Sequence, residues 1–213
     1  MMQGSSAGQQ DHPAAGPAAW LAALGAAMAV AMALLMPAAA AAEGRLVAHL
    51  SSKAQADPPK GAEGLCRRYD WACARGSSAR LTADQIRMAD KLNRRINASV
   101  RPVTDLAQYG REEHWARPTA RGGDCEDIAL LKKAELIRMD IAPDRLLLAE
   151  VLDGQRNNHA VLILRKDDGD YVLDNLTNRM LPWSQTPYTF LRMQDSSAPH
   201  RWKAVFAGGI FRG

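Results

Sequence analysis

Between residues 82 and 100 the apolar positions recur at helical spacing. Ile86, Ala89, Leu92, Ile96 and Val100 fall on one stripe, the pattern of an amphipathic helix with one face in a core. Thr82, followed three residues later by Gln85, supplies a capping box at its start, and Pro102 ends it. A second helix is predicted from about Asp124 to Met139, with Leu130, Ala134 and Ile137 as its buried stripe. Asp124 is its candidate cap, and Asp127 stands at the third helical position. Beyond Pro143 the spacing changes. "RLLLAEVLD", "HAVLILRK" and "YVLDNL" are short β-leaning runs, the last two separated by a turn near Asp168-Gly169, and "RWKAVFAGGIF" adds further strand material. Helices first and antiparallel strands after predict an α+β domain, with the second helix packed on an antiparallel sheet.

The ends of the chain narrow this picture. Residues 1–42 hold one formal charge, Asp11, and include the apolar run "WLAALGAAMAVAMALLM" followed by Pro37 and alanines. This reads as a signal peptide with an A-x-A cleavage site near Ala40 to Ala42, or as an N-terminal membrane anchor, although no Lys or Arg precedes the run. Residues 43–64, with "SSKAQADPPKGAEG", read as a flexible lead-in, which leaves 65–213 as one domain. Residues 43–213 carry 27 basic and 22 acidic groups, net +5. The excess is spread along the chain, with no basic stripe interleaved with aromatics, and this argues against nucleic-acid binding. Of the three cysteines, Cys66 and Cys73 are close enough in sequence to close a small loop in an oxidising compartment, or they stand as two unpaired structural cysteines. Cys125 is the odd thiol. No second Cys or His cluster completes a four-ligand metal site around the pair.

The stretch "RGGDCEDIAL" puts Cys125 in the first turn of the second helix, beside Asp124, Glu126 and Asp127. Unsatisfied N–H groups there favour a thiolate and could hold an oxyanion, whereas three carboxylates oppose thiolate formation. The same carboxylates argue against a fully buried filler role for the cysteine. A thiol nucleophile needs a base, and His159 at the start of "HAVLILRK" is the candidate. Alone, a histidine there is an ordinary surface residue. Asp174 in "VLDN" ends the neighbouring strand, and an even-numbered hairpin loop would set it on the same face as His159. A cysteine at a helix start, with a histidine and an aspartate at one end of a hairpin, is the pattern of thiol catalysis with an orienting third group.

The combination of "GGDCEDIALLKKAEL", "NHAVLIL" and "YVLDNL" resembles the bacterial transglutaminase-like cysteine proteinases, over roughly residues 65–206. The resemblance implies a papain-like or transglutaminase-like core with Cys125 as nucleophile, His159 as base and Asp174 as orienting carboxylate. It also implies a periplasmic, calcium-dependent endopeptidase with Asp124, Glu126 and Asp127 as the calcium ligands. The ion would offset the three charges, and carbonyls or water would fill its remaining positions. The implied substrate is the N-terminal region of a large surface adhesin, whose cleavage promotes biofilm release. The implied partner is an inner-membrane receptor for cyclic di-GMP that sequesters the protease. The chain departs from the family's pattern at Glu113-His114, where an Asp and a Tyr are expected before Trp115, and this bears on substrate preference. Two other functions use the same residues: acyl transfer to an amine, as in a transglutaminase or amidase, and a non-catalytic calcium-binding interaction module.

Overall fold

The β-leaning runs pair as the centre of a seven-stranded antiparallel sheet. The computed structural model describes residues 48–76 and 79–211, all within one compact unit, Arg45–Gly213. The expected leader, residues 1–42, lies outside the described residues. Strands β2 (Leu146–Leu152), β3 (Asn158–Lys166) and β4 (Gly169–Leu173) form consecutive hairpins. β6 (Thr189–Asp195) joins the free edge of β2, and β7 (Ala198–Gly208) returns against β6. Two-residue strands β1 (Gln55–Ala56) and β5 (Leu181–Pro182) close the edges, giving the order β1-β7-β6-β2-β3-β4-β5.

Both faces of the central strands are buried, which is why β2 and β3 read as nearly continuous apolar runs. On one face Leu146, Leu148, Leu162 and Leu164 pack with Leu92 and Ile96 of helix α2 (Ala83–Ser99) and with Ile128 and Leu130 of helix α4 (Cys125–Arg138). On the other face Leu147, Val151, Val161 and Ile163 meet Tyr188, Phe190 and Val205. Two shorter helices, α1 (Leu65–Arg68) and α3 (Asp105–Tyr109), lie in the connections. The Thr82–Gln85 capping box forms in both directions, and the domain is α+β as expected.

The lead-in differs from its expectation. The Leu50 N–H donates to Asp170 Oδ2 at 2.8 Å, Gln55 and Ala56 pair with Lys203 and Trp202, and Leu50 and Ala62 are buried. Its order comes from partners more than 100 residues away, which no local pattern of small and polar residues reveals. Cys66 and Cys73 form a disulfide, and Cys125 is the free cysteine.

Candidate active site

Helix α4 begins at Cys125 because the chain before it is bound to a neighbouring loop. The Gly123 N–H donates to the Arg101 carbonyl and the Val103 N–H to the Gly123 carbonyl, both at 3.1 Å. Glycine is required at both preceding positions. A Cβ on Gly122, at φ +126°, would lie 2.0 Å from the Arg101 carbonyl oxygen, and one on Gly123 would lie 2.7 Å from the Asp127 carboxylate. The same loop leads through Thr104 into α3 and so brings Asp105 beside Asp124. The Asp105 N–H donates to Asp124 Oδ2 at 3.0 Å. Asp124 therefore stands at the cap position of α4 without capping it, since its carboxylate is turned towards Asp105 rather than towards its own helix.

Cys125 lies on a cleft of about 360 Å³ whose walls also include Glu113, Trp115, Asp124, Glu126 and His159. Its thiol donates to Glu126 Oε2 at 3.2 Å. Burial pushes the thiol well above its ordinary pKa, and the Glu126 charge adds to the shift, against a smaller opposite pull from the Ala160 N–H. The carboxylates are not solvated: Glu126 is 3% exposed and Asp127 is fully buried. Their acidity therefore does not keep the segment at the surface, and that argument against a buried cysteine fails. Burial first, and then the Asp124 charge, push Glu126 up to about 9; burial pushes Asp127 up to about 7.

His159 is buried rather than at the surface, because β3 starts beneath the cleft. Its Nε2 lies 2.8 Å from Asp174 Oδ1. The hairpin explains the contact. Lys166 pairs with Gly169 and Leu162 with Leu173, so the loop is the two residues Asp167-Asp168, one position earlier than the sequence suggests. That register sets the two side chains on one face at the same end. Asp174 Oδ1 also accepts the Leu176 N–H at 3.1 Å, and Oδ2 accepts the Tyr188 hydroxyl. Burial pushes the Asp174 carboxyl up, but the bonds from His159 and Tyr188 outweigh it and hold it below the ordinary range.

The acidic residues divide into two sets. One carboxylate oxygen from each of Asp105, Asp124 and Glu126 falls within 4.8 Å of the others. Asp105 Oδ1, Asp124 Oδ1 and Glu126 Oε1 are buried with no hydrogen-bond partner. Hard oxygen donors left orphaned in this way fit a divalent cation such as calcium. Asp127 falls outside that group: its Oδ1 accepts the Ala116 N–H at 2.9 Å, fastening the segment that carries Trp115, while its Oδ2 is buried without a partner. Sequence reasoning missed Asp105, which lies 19 positions before Asp124 and reads as an ordinary first-turn acid after Thr104. It missed Tyr188 as well, which no motif marks.

An α+β core in which a helix beginning at a cysteine packs on an antiparallel sheet is that of a transglutaminase-like cysteine protease. The chain belongs to the bacterial transglutaminase-like cysteine proteinase (BTLCP) family, whose profile matches residues 52–208, and it is a cysteine peptidase. Among solved structures it is similar to calcium-bound LapG of Legionella pneumophila, at 21% identity and TM-score 0.48, covering 62% of this chain and 75% of that one. Another LapG structure from the same organism gives 21% and 0.48, over 61% and 72%. The EGTA-treated form gives 21% and 0.45, over 53% and 64%. No functionally curated protein matches the chain. Among the described residues no helix is long and apolar enough to cross a membrane.

Proposed function

We propose that this chain is an exported, calcium-dependent cysteine endopeptidase in which Cys125 is the nucleophile, His159 the base and Asp174 the group that orients the base. The observation that carries the reading is the buried 2.8 Å contact between His159 Nε2 and Asp174 Oδ1, at a cleft wall shared with Cys125. With Nε2 engaged by the carboxylate, Nδ1 is the nitrogen left to exchange a proton with the thiol. His159 takes the Cys125 proton, and a bond forms from Sγ to the substrate carbonyl carbon. The oxyanion faces the N–H groups of the first turn of α4. As the peptide C–N bond breaks, His159 returns the proton to the leaving amine. Water, deprotonated by the same imidazole, then cleaves the thioester and regenerates the thiol.

Asp105, Asp124 and Glu126 would hold the calcium ion, and carbonyls or water would complete its six to eight oxygen positions. When bound, the ion supplies the positive charge that offsets the carboxylates opposing the Cys125 thiolate. Asp127, also implied as a ligand by the sequence resemblance, accepts the Ala116 N–H through Oδ1 and keeps Oδ2 buried without a partner, outside the group of three.

Export is supported by the apolar run before residue 43 and by the Cys66–Cys73 disulfide, and we place the protein in the periplasm. A protease acts on a protein, and the family resemblance supports the N-terminal region of a large surface adhesin as that protein and a cyclic-di-GMP receptor as its inner-membrane partner. The test is cleavage of such an adhesin segment by the wild-type chain in calcium, beside Cys125→Ala, His159→Ala and Asp174→Asn. Loss of cleavage in the first two, and a fall of roughly 10²- to 10⁴-fold in the third, are expected. A product linked to an added amine would make the activity acyl transfer. An undiminished effect of Cys125→Ala on the adhesin would make the protein a binding module.

A further inference from the structure

Asp174 has two oxygens, and each is bonded to a different side chain. His159 Nε2 lies 2.8 Å from Oδ1, and the Tyr188 hydroxyl donates to Oδ2. Tyr188 also packs edge-on against the imidazole, with ring centroids 5.6 Å apart and planes at 61°. All three side chains are buried. Tyr188 immediately precedes β6 and is held in the apolar cluster with Val151, Val161 and Phe190.

We propose that Tyr188 is a positioning residue for the peptidase, fixing both the Asp174 carboxylate and the His159 ring so that the imidazole keeps one orientation at the cleft it shares with Cys125. The inference rests on the assignment of Cys125, His159 and Asp174 above. Its physical basis is the terminal torsion of an aspartate, which is broad when only one oxygen is held. Oδ1 takes both His159 and the Leu176 N–H, so rotation of the carboxylate is restrained from its other side by the phenol alone among the bonds described. An ionised carboxylate only accepts hydrogen bonds, so the phenol must donate, which leaves one orientation of the pair. The ring contact adds a second restraint, since an imidazole rotated off the Asp174 axis would lose its edge-on packing. The aromatic ring alone fills the core space, and a phenylalanine would fill it equally. The hydroxyl is what reaches Asp174.

The test uses the full chain in calcium with Tyr188→Phe, which keeps the ring and removes only the donor. Two readouts are followed: alkylation of Cys125, the free cysteine, by iodoacetamide, and the His159 ring resonances in ¹⁵N-histidine-labelled protein. The expected result is an alkylation rate at pH 7 about tenfold lower, with the Nε2 proton resonance of His159 shifted or broadened. A rate within twofold of wild type and an unmoved resonance overturn the proposal. Asp174→Asn separates the two levels of the argument. If it slows alkylation while Tyr188→Phe does not, the Tyr188 assignment fails and the Cys125–His159–Asp174 reading stands; if neither variant has an effect, that reading fails as well. Should Tyr188→Phe not fold, 3-fluorotyrosine at position 188 keeps ring and donor but makes the donor more acidic. The same His159 resonance then moves, and an unmoved one overturns the proposal.

Discussion

The Cys125 thiol and the carboxylate of its sequence neighbour Glu126 are hydrogen-bonded to each other, with Sγ 3.2 Å from Oε2. The nucleophile proposed for this peptidase therefore has its proton held by the same group that, with Asp105 and Asp124, forms a carboxylate cluster in which one oxygen of each member has no hydrogen-bond partner. Positive charge at that cluster draws on Glu126 and loosens its hold on the thiol. On the proposed reading, the carboxylates that look misplaced beside a nucleophile would be the means by which calcium governs it.

The ligand set gives the first prediction. Asp105→Asn should weaken calcium binding, measured by calorimetry or terbium luminescence, by tenfold or more. Asp127→Asn should weaken it much less and act mainly on stability, because its Oδ1 is occupied by the Ala116 N–H. Equal affinity for the wild type and Asp105→Asn would remove Asp105 from the site.

Proton linkage gives the second. Without the cation Glu126 is pushed up to about 9 and Asp127 to about 7, from ordinary values of 4.5 and 3.8. Between pH 5 and 7 the folded chain thus holds protons that the unfolded chain has released, so stability falls as pH rises. Lys132 and Lys133, which burial lowers to about 7, act in the opposite sense but only above that pH. Asp170 and Asp174, held below their ordinary values, act only at more acid pH. In chelator, denaturant unfolding should show a loss of roughly 4 kcal/mol from pH 5 to pH 7. Calcium should remove the Glu126 part of that slope. A flat or rising profile in chelator would contradict the burial of these acids.

Backbone fit gives the third. Gly122→Ala forces a Cβ to 2.0 Å from the Arg101 carbonyl oxygen at a φ of +126°, which only glycine adopts readily. It should cost roughly 3 kcal/mol or more and move the start of α4. Gly110→Ala is the control, with φ +66° and nothing within 4 Å, and should cost about 1 kcal/mol. Thermal and denaturant unfolding of the two variants decide it, and similar costs would show that the Arg101 contact does not constrain the loop.

Elements whose order is local were legible in the sequence. The stripe from Ala89 to Ile96, the Thr82–Gln85 box and the runs that became β2, β3 and β4 carry their own periodicity. The His159–Asp174 pairing followed from hairpin geometry and needed only the two-residue loop to set its face. What was hidden depends on partners distant in sequence. Gln55 and Ala56 become a strand only against β7, and Asp105 becomes a candidate ligand only once the Arg101–Gly123 bond brings α3 to the start of α4. Glu126 and Asp127 misled for a different reason. Charged residues normally mark solvent, and burial of several together is the exception that cation sites allow. Lys133 is likewise fully buried on α4, with Nζ donating to Gln194 Oε1 at 2.7 Å.

The most direct test of the central claim is the alkylation rate of Cys125 as a function of pH, in calcium and in chelator, with His159→Ala alongside. The account predicts a thiolate near or below neutral pH in calcium, and one forming only above the ordinary thiol range in chelator. His159→Ala should lose the low-pH thiolate even in calcium. Identical profiles under all three conditions, with an apparent pKa near 8.5, would contradict it.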